Sequence, residues 1–254
     1  MSRVVAIANQ KGGVGKTTTS INLGASLASQ GKKTLIVDID PQGNTTSGLG
    51  INKADVKQCI YDVLINELPV ADVIYPTSVG HLDLVPATIE LAGAEIELVQ
   101  TLSREHRLKR SLQSVRDQYD YILIDCPPSL GVLTINSLTA ADAVLIPIQC
   151  EFYALEGLGQ LLNTVRIVQK HLNKRLEIEG VLLTMYDGRT NLSIQVMDEV
   201  KKYFQQKVYH TVIPRNVRLS EAPSHGKPIL TYDARSRGAE CYVELAKEVI
   251  QHGQ

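Results

Sequence analysis

Lys11-Gly12-Gly13-Val14-Gly15-Lys16-Thr17-Thr18 lies between an apolar run, Val4-Val5-Ala6-Ile7-Ala8, and a helical pattern that runs from Lys16 to Gln30. The apolar run reads as a strand buried on both faces. A glycine-rich turn from strand to helix aims backbone N–H groups and the positive helix end at one point, which suits a phosphate chain. Gly12, Gly13 and Gly15 leave the backbone free to bend and to approach a ligand without a Cβ in the way. Val14 completes the cradle with Thr18. Lys16 can neutralise the β- and γ-phosphates of a nucleotide, and the Thr17 hydroxyl can bind Mg²⁺. The run departs from the pattern G-x-x-x-x-G-K-[ST] at position 10, where Gln10 replaces the first glycine. In compensation it opens on a second cation, Lys11, which could contact phosphate on a neighbouring subunit.

Outward from this loop, apolar runs alternate with helical patterns. Strands are expected at residues 4–8, 34–38, 82–85, 121–124, 144–148, 181–184 and, briefly, 212–213. Helices are expected at 17–30, 107–118, 155–171, 192–206 and 239–251, the first stopped by Gly31. Residues 43–80 are less regular and are expected to form short helices over the nucleotide. The alternation predicts an α/β fold: a mostly parallel, twisted sheet of about seven or eight strands with helices on both faces. No low-complexity segment, repeat or linker divides the chain, so residues 1–254 are expected to form a single domain.

Composition narrows the function. The chain has 254 residues, 44% of them hydrophobic, and a net charge of −1, which does not announce a nucleic-acid binder. Residues 1–165 carry a net −5 and residues 166–254 a net +4. No stretch approaches the roughly 20 apolar residues of a membrane span, and no signal-peptide pattern is expected at the N-terminus. Cys59, Cys126, Cys150 and Cys241 form no C-x-x-C and read as reduced, mostly buried cytosolic thiols.

Two acidic segments belong with the phosphate loop. Asp38-Ile39-Asp40-Pro41-Gln42-Gly43-Asn44 follows the second strand, and ligands of open α/β sheets bind beyond the carboxyl ends of strands. Asp40, further along, is the better placed to orient an attacking water. Asp38 is expected behind it, or on a Mg²⁺-bound water. Tyr121-Ile122-Leu123-Ile124-Asp125 is an apolar strand ending in an acid, a pattern that holds Mg²⁺ through water. Cys126 beside it reads as a packed small residue.

Together the KGGVGKTT, DIDPQGN and ILIDCPP motifs resemble the deviant Walker A ATPases of the ParA/MinD superfamily, P-loop NTPases by fold. The segments Asn44 to Gly50, Gln149 to Gly157 and Ile213 to Ser224 are similar to its short chromosomal ParA branch. This resemblance implies a chromosome-partitioning ATPase using ATP and Mg²⁺. It implies a homodimer formed on ATP, sequence-blind DNA binding, and stimulation by a ParB/Spo0J-like partner, with a cytoplasmic, nucleoid-associated location. Lys11 would reach the other subunit's phosphates, and Lys11, Lys16 and Asp40 would form the catalytic set. Thr17 and, through water, Asp125 would hold the metal. Pro214 and Asn216 would pack on the adenine, and Arg189 and Arg218 would contribute to the DNA surface. Local pairing of those arginines with Asp187 and Glu221 is the alternative, with Lys201, Lys202 and Lys207 as a substitute surface.

The resemblance also brings rivals. A MinD-like membrane regulator would end in a basic amphipathic helix, whereas Glu240, Glu244 and Glu248 make this terminus acidic and a poor match for anionic lipid. Leu245 and Val249 are expected to face the core. Nitrogenase-type iron proteins need cysteines absent between Cys59 and Cys126. A plasmid ParA with an N-terminal helix-turn-helix domain is not expected, because the loop begins at residue 11. A nucleotide-gated regulator acting on a replication initiator, with hydrolysis as its timer, remains an alternative for the same residues.

Overall fold

The computed structural model describes residues 2–151 and 156–252. Among them, seven strands form one sheet: β1 (Arg3–Ile7), β2 (Thr34–Asp38), β3 (Tyr75–Pro76), β4 (Leu82–Val85), β5 (Tyr121–Asp125), β6 (Ala143–Gln149) and β7 (Glu177–Thr184). Their order is β3-β4-β2-β5-β1-β6-β7, all parallel except the β3–β4 pair.

Successive side chains of a strand point to opposite faces, and the two cores divide the sheet residues accordingly. Val4, Ala6, Leu35, Val37, Ile122 and Ile124 enter one cluster; Val5, Ile7, Ile36, Tyr121 and Leu123 enter the other. Burial on both sides explains why these strands read as continuous Val/Ile/Leu runs. Each such side chain contributes about 1.5–3 kcal/mol when fully removed from water.

The second cluster is closed by α1 (Lys16–Ser29), with α9 (Val217–Glu221), α10 (Ile229–Tyr232) and α11 (Arg237–His252) around it. The opposite face is covered by α3 (Ile60–Leu64), α4 (Leu91–Glu97), α5 (Arg107–Leu112), α6 (Val132–Ala140), α7 (Glu156–His171) and α8 (Asn191–Phe204). One short helix, α2 (Asn44–Gly48), follows the DIDPQG turn. Leu245 and Val249 of α11 are buried as expected.

Several boundaries differ from the sequence expectation. The strand expected at 212–213 does not form: Ile213 donates to Leu183 O at 2.9 Å and Tyr186 bridges Pro214, but these contacts beside the end of β7 are isolated bridges and not a continuous ladder. β3 was not anticipated; it is two residues long and half of it is proline. β7 begins four residues early, because Glu177 and Glu179 hide its start from a search for apolar runs. The helix expected at 107–118 stops at Leu112 and resumes as a 3₁₀ turn at Arg116–Gln118. Residues 43–80 do form short helical pieces, of which α2 lies against α1 and α3 packs in the core. Of the quoted 149–157 segment, 152–155 lie outside the described residues.

Candidate nucleotide site

Strand order builds the site. β2, β5 and β1 are neighbours, and Asp125 is paired in register with Asp38 on one side and Ile7 on the other. The phosphate loop leaves β1 immediately beyond Ile7. Both acidic strand ends and the loop therefore meet at the carboxyl end of the central strands.

The loop folds as its glycines require. Gly15, the residue before α1, has φ +89°, a left-handed conformation that a side-chain-bearing residue adopts only at a cost. Lys16 is buried, and its Nζ folds back to donate to Lys11 O at 3.1 Å. Burial lowers its pKa, while Asp125, Cys126 and Asp40 oppose the shift. Lys11 is two-thirds buried, with its Nζ 3.8 Å from Glu151.

Asp125 is fully buried and serves as a hydroxyl acceptor. Thr17 and Thr45 donate to its Oδ2 at 2.9 and 2.7 Å, and Ser20 donates to Oδ1 at 2.9 Å. Asp38 is also fully buried: its Oδ1 accepts from the Asp40 N–H, and its Oδ2 accepts from the N–H and hydroxyl of Thr46. Burial, then the charge of Asp125, pushes Asp38 up to about 7. Burial likewise raises Asp125, and pushes the Cys126 thiol up to about 12, in keeping with a packed residue rather than a nucleophile.

Two adjoining cavities complete the site. One, of about 360 Å³, is lined by Gly12, Gly13, Lys16, Thr17, Asp40 and Pro128 among others. The second, of about 420 Å³, is lined by Pro214, Asn216, Leu219 and Tyr242 among others. Gly15, Thr18 and Met185 line both. A phosphate chain in the first could thus continue to a base in the second. The oxygen donor set of Thr17 and Asp125 fits Mg²⁺, which keeps several waters and is held through one or two carboxylates and substrate phosphates. Asp38 lines neither cavity.

Pro214 and Asn216 therefore stand beside the phosphate loop, although the Asn216 side chain also caps α9 by accepting from Arg218 N–H at 2.8 Å. Arg189 is 88% exposed and forks onto Asp187; Arg218 reaches Glu221 at 3.0 Å and Asp233 at 3.5 Å. Both arginines carry the local pairing that the sequence left open. Their segments adjoin, because Tyr186 and Pro214 bridge and Arg215 N–H donates to Tyr186 O.

Sequence reading missed Ser20, Thr45 and Thr46, whose signal was polar residues where helices turn inward. It also missed Met185, which takes φ +50° where the cavities meet and has no sequence signature.

A family described as an AAA domain matches residues 2–178. The Sporulation initiation inhibitor protein Soj of Bacillus subtilis is 72% identical over 253 residues, covering all of both chains. The chain belongs to the Soj/ParA family. Another relative of this Soj/ParA chain, the Chromosome partitioning protein ParA of Myxococcus xanthus, is 54% identical over 99% of this chain and 89% of its own. A solved structure named as cobyrinic acid a,c-diamide synthase from Mycobacterium smegmatis, with bound ADP and magnesium, superposes with a TM-score of 0.88. It is 41% identical and covers 100% of this chain and 96% of its own. The Soj/ParA family is one of chromosome-partitioning ATPases, and the parallel sheet of this member is the P-loop NTPase fold.

Proposed function

We propose that this chain is an ATP-hydrolysing chromosome-partitioning protein whose residues 1–254 act as one ATPase domain. The observation that carries the reading is the convergence of Lys16, Thr17 and Asp40 on one cavity, with Asp125 bonded to Thr17 behind it. The Soj and ParA relatives, and ADP with magnesium in the solved neighbour, support it.

Gly12 to Thr18 cradle the phosphates through backbone N–H groups, and Lys16 swings from Lys11 O to a phosphate oxygen. Thr17 and Asp125 would hold the metal, Asp125 through water, and Mg²⁺ held there would supply charge neutralisation at the β- and γ-phosphates. Asp40 orients the attacking water. Pro214 and Asn216 border the base.

Lys11 of each protomer crosses to its partner's nucleotide, so the homodimer depends on the γ-phosphate, and a cation placed where charge develops stabilises the transition state. The dimer presents Arg189 and Arg218 twice and binds DNA without sequence preference. A ParB/Spo0J-like protein accelerates hydrolysis and releases the dimer. On this reading the protein works in the cytoplasm, on the nucleoid. Membrane attachment through α11 is disfavoured, because its apolar side is buried against α1.

The test is ATP turnover alone, with duplex DNA, and with DNA plus the N-terminal peptide of a ParB-like protein. Slow basal turnover that rises with both additions is expected. No hydrolysis under any condition would remove the ATPase reading. Turnover indifferent to both additions would remove the partner and favour a timer acting on a replication initiator.

A further inference from the structure

Asp40 lies on a loop that begins and ends on a single buried group. Asp38 Oδ1 accepts from the N–H of Asp40 at 3.2 Å, and Oδ2 accepts from the N–H and hydroxyl of Thr46 at 2.8 and 2.7 Å. The Thr46 hydroxyl in turn accepts from Ala87 N–H at 2.9 Å, just beyond β4. Between these anchors, Asp40 closes a tight turn: its Oδ1 accepts from Gln42 N–H at 2.9 Å and its carbonyl from Gly43 N–H at 2.8 Å.

We propose that Asp38 and Thr46 are positioning residues for Asp40, holding both ends of its loop on one carboxylate fixed to the sheet. The inference rests on the reading of Asp40 as the residue that orients water. Three features support it. Asp38 is fully buried and bordered by neither cavity, so it stands off from substrate. Three of its roughly four lone-pair sites are filled by donors from the Asp40 loop itself, so its bonding capacity is given over to that loop. And α2 has only five residues, too short to be stable by its own hydrogen bonds. Its position is set by contacts at its start: Thr46 to Asp38 and, one residue earlier, Thr45 to Asp125.

A water-orienting carboxylate is sensitive to sub-ångström placement, whereas, among the described residues, the hydrogen bonds of Asp38 and of the Thr46 side chain go to Asp40, to each other and to Ala87, and not to the Gly12 to Thr18 cradle. Loosening the clamp should therefore slow hydrolysis and spare binding. Thr46→Val keeps the side-chain shape, removes the hydroxyl and leaves Ala87 N–H without its acceptor. Thr46→Ser keeps the hydroxyl.

The experiment compares kcat, KM for ATP and amide hydrogen exchange in the full chain. Thr46→Val should lower kcat on the order of 10²-fold while KM stays within roughly threefold. In the nucleotide-free protein its amides at residues 43–49 should exchange faster than the parent's, with the strand amides unchanged. Thr46→Ser should restore both readouts. Should Thr46→Val fail to fold, Asp38→Asn decides, because its single oxygen cannot serve both ends of the loop; the same split in kcat and the same local exchange are expected. An unchanged kcat, a KM that rises in step with a falling kcat, or no rescue by serine overturns the proposal. If the parent itself does not hydrolyse ATP, the reading of the site fails, and the exchange data alone judge the clamp: equal rates at 43–49 in Thr46→Val and parent overturn it.

Discussion

Thr17 donates its hydroxyl to Asp125 Oδ2 at 2.9 Å and so ties the first turn of α1 to the end of β5. The bond holds the hydroxyl that would ligate the metal beside the acid that would orient its waters. Replacing such a supporting carboxylate typically costs about 10–100-fold in metal affinity. Asp125→Asn should therefore shift the Mg²⁺ midpoint for binding a fluorescent ATP analogue upward by that factor. An unmoved midpoint in a Mg²⁺ titration would take Asp125 out of the metal site.

Lys16 and Gly12 should fail in different ways. Lys16→Ala removes a charge-assisted phosphate contact and should weaken nucleotide binding itself. A Cβ at Gly12 would meet only Pro128 Cβ, at 4.0 Å, so Gly12→Val has room within its own chain. Its bulk would instead obstruct a second protomer. Sedimentation with ATP should find Gly12→Val bound to nucleotide but monomeric; dimerisation like the parent's would refute the sandwich arrangement.

Asp40→Ala should bind ATP and dimerise but turn over slowly, since a positioned acid, base or water-orienting group is worth about 10²–10⁴ in rate. Its dimer should remain longer on DNA. If partner-stimulated turnover survives the substitution, the water is oriented elsewhere.

Asp38 gives a pH dependence whose sign can be worked out. Its pKa in the folded chain is about 7, against 3.8 for the ordinary carboxylate, because of burial and then Asp125. The folded state thus holds a proton that the unfolded state releases. The stability this contributes is complete at low pH and is lost as pH rises through about 7. Melting temperatures of the nucleotide-free protein between about pH 5 and 8 should fall more steeply in the parent than in Asp38→Asn. Parallel curves would mean Asp38 does not titrate there.

Arg189→Glu and Arg218→Glu should each weaken DNA binding in ATP without affecting dimerisation. Their pairs with Asp187, Glu221 and Asp233 are exposed, and exposed pairs hold their partners weakly. Log affinity falls with log salt by about 0.9 per phosphate neutralised, so losing one arginine per protomer should flatten the slope by up to roughly two units in a dimer. Unchanged affinity and slope in both variants would move the surface to exposed Lys201, Lys202 and Lys207.

Much of this arrangement was legible in the residues. Lys16, Thr17, Asp40 and Asp125 each end or follow an apolar run, and the parallel sheet leaves only one edge at which such ends can meet. Thr45 and Thr46 were not legible: a hydroxyl's partner depends on which strands neighbour each other, and no local pattern states that β2 lies beside β5. Residues 212–213 illustrate the opposite failure. Their apolar character is real, but it serves core packing beside β7, where the segment makes only isolated bridges. The distinct roles of Asp38 and Asp40 turned on depth below the surface, which spacing along the chain does not encode.

The strand made first waits longest for a neighbour. β1 has β5 and β6 as its neighbours, so Val4 to Ile7 finds no hydrogen-bonding strand until well over a hundred further residues have left the ribosome. At roughly 5–20 residues per second the apolar segment waits many seconds without a partner. A growing chain that lacks Tyr121 to Asp125 also lacks the acid to which Thr17 and Ser20 bond, so the phosphate loop is without that support until β5 is made.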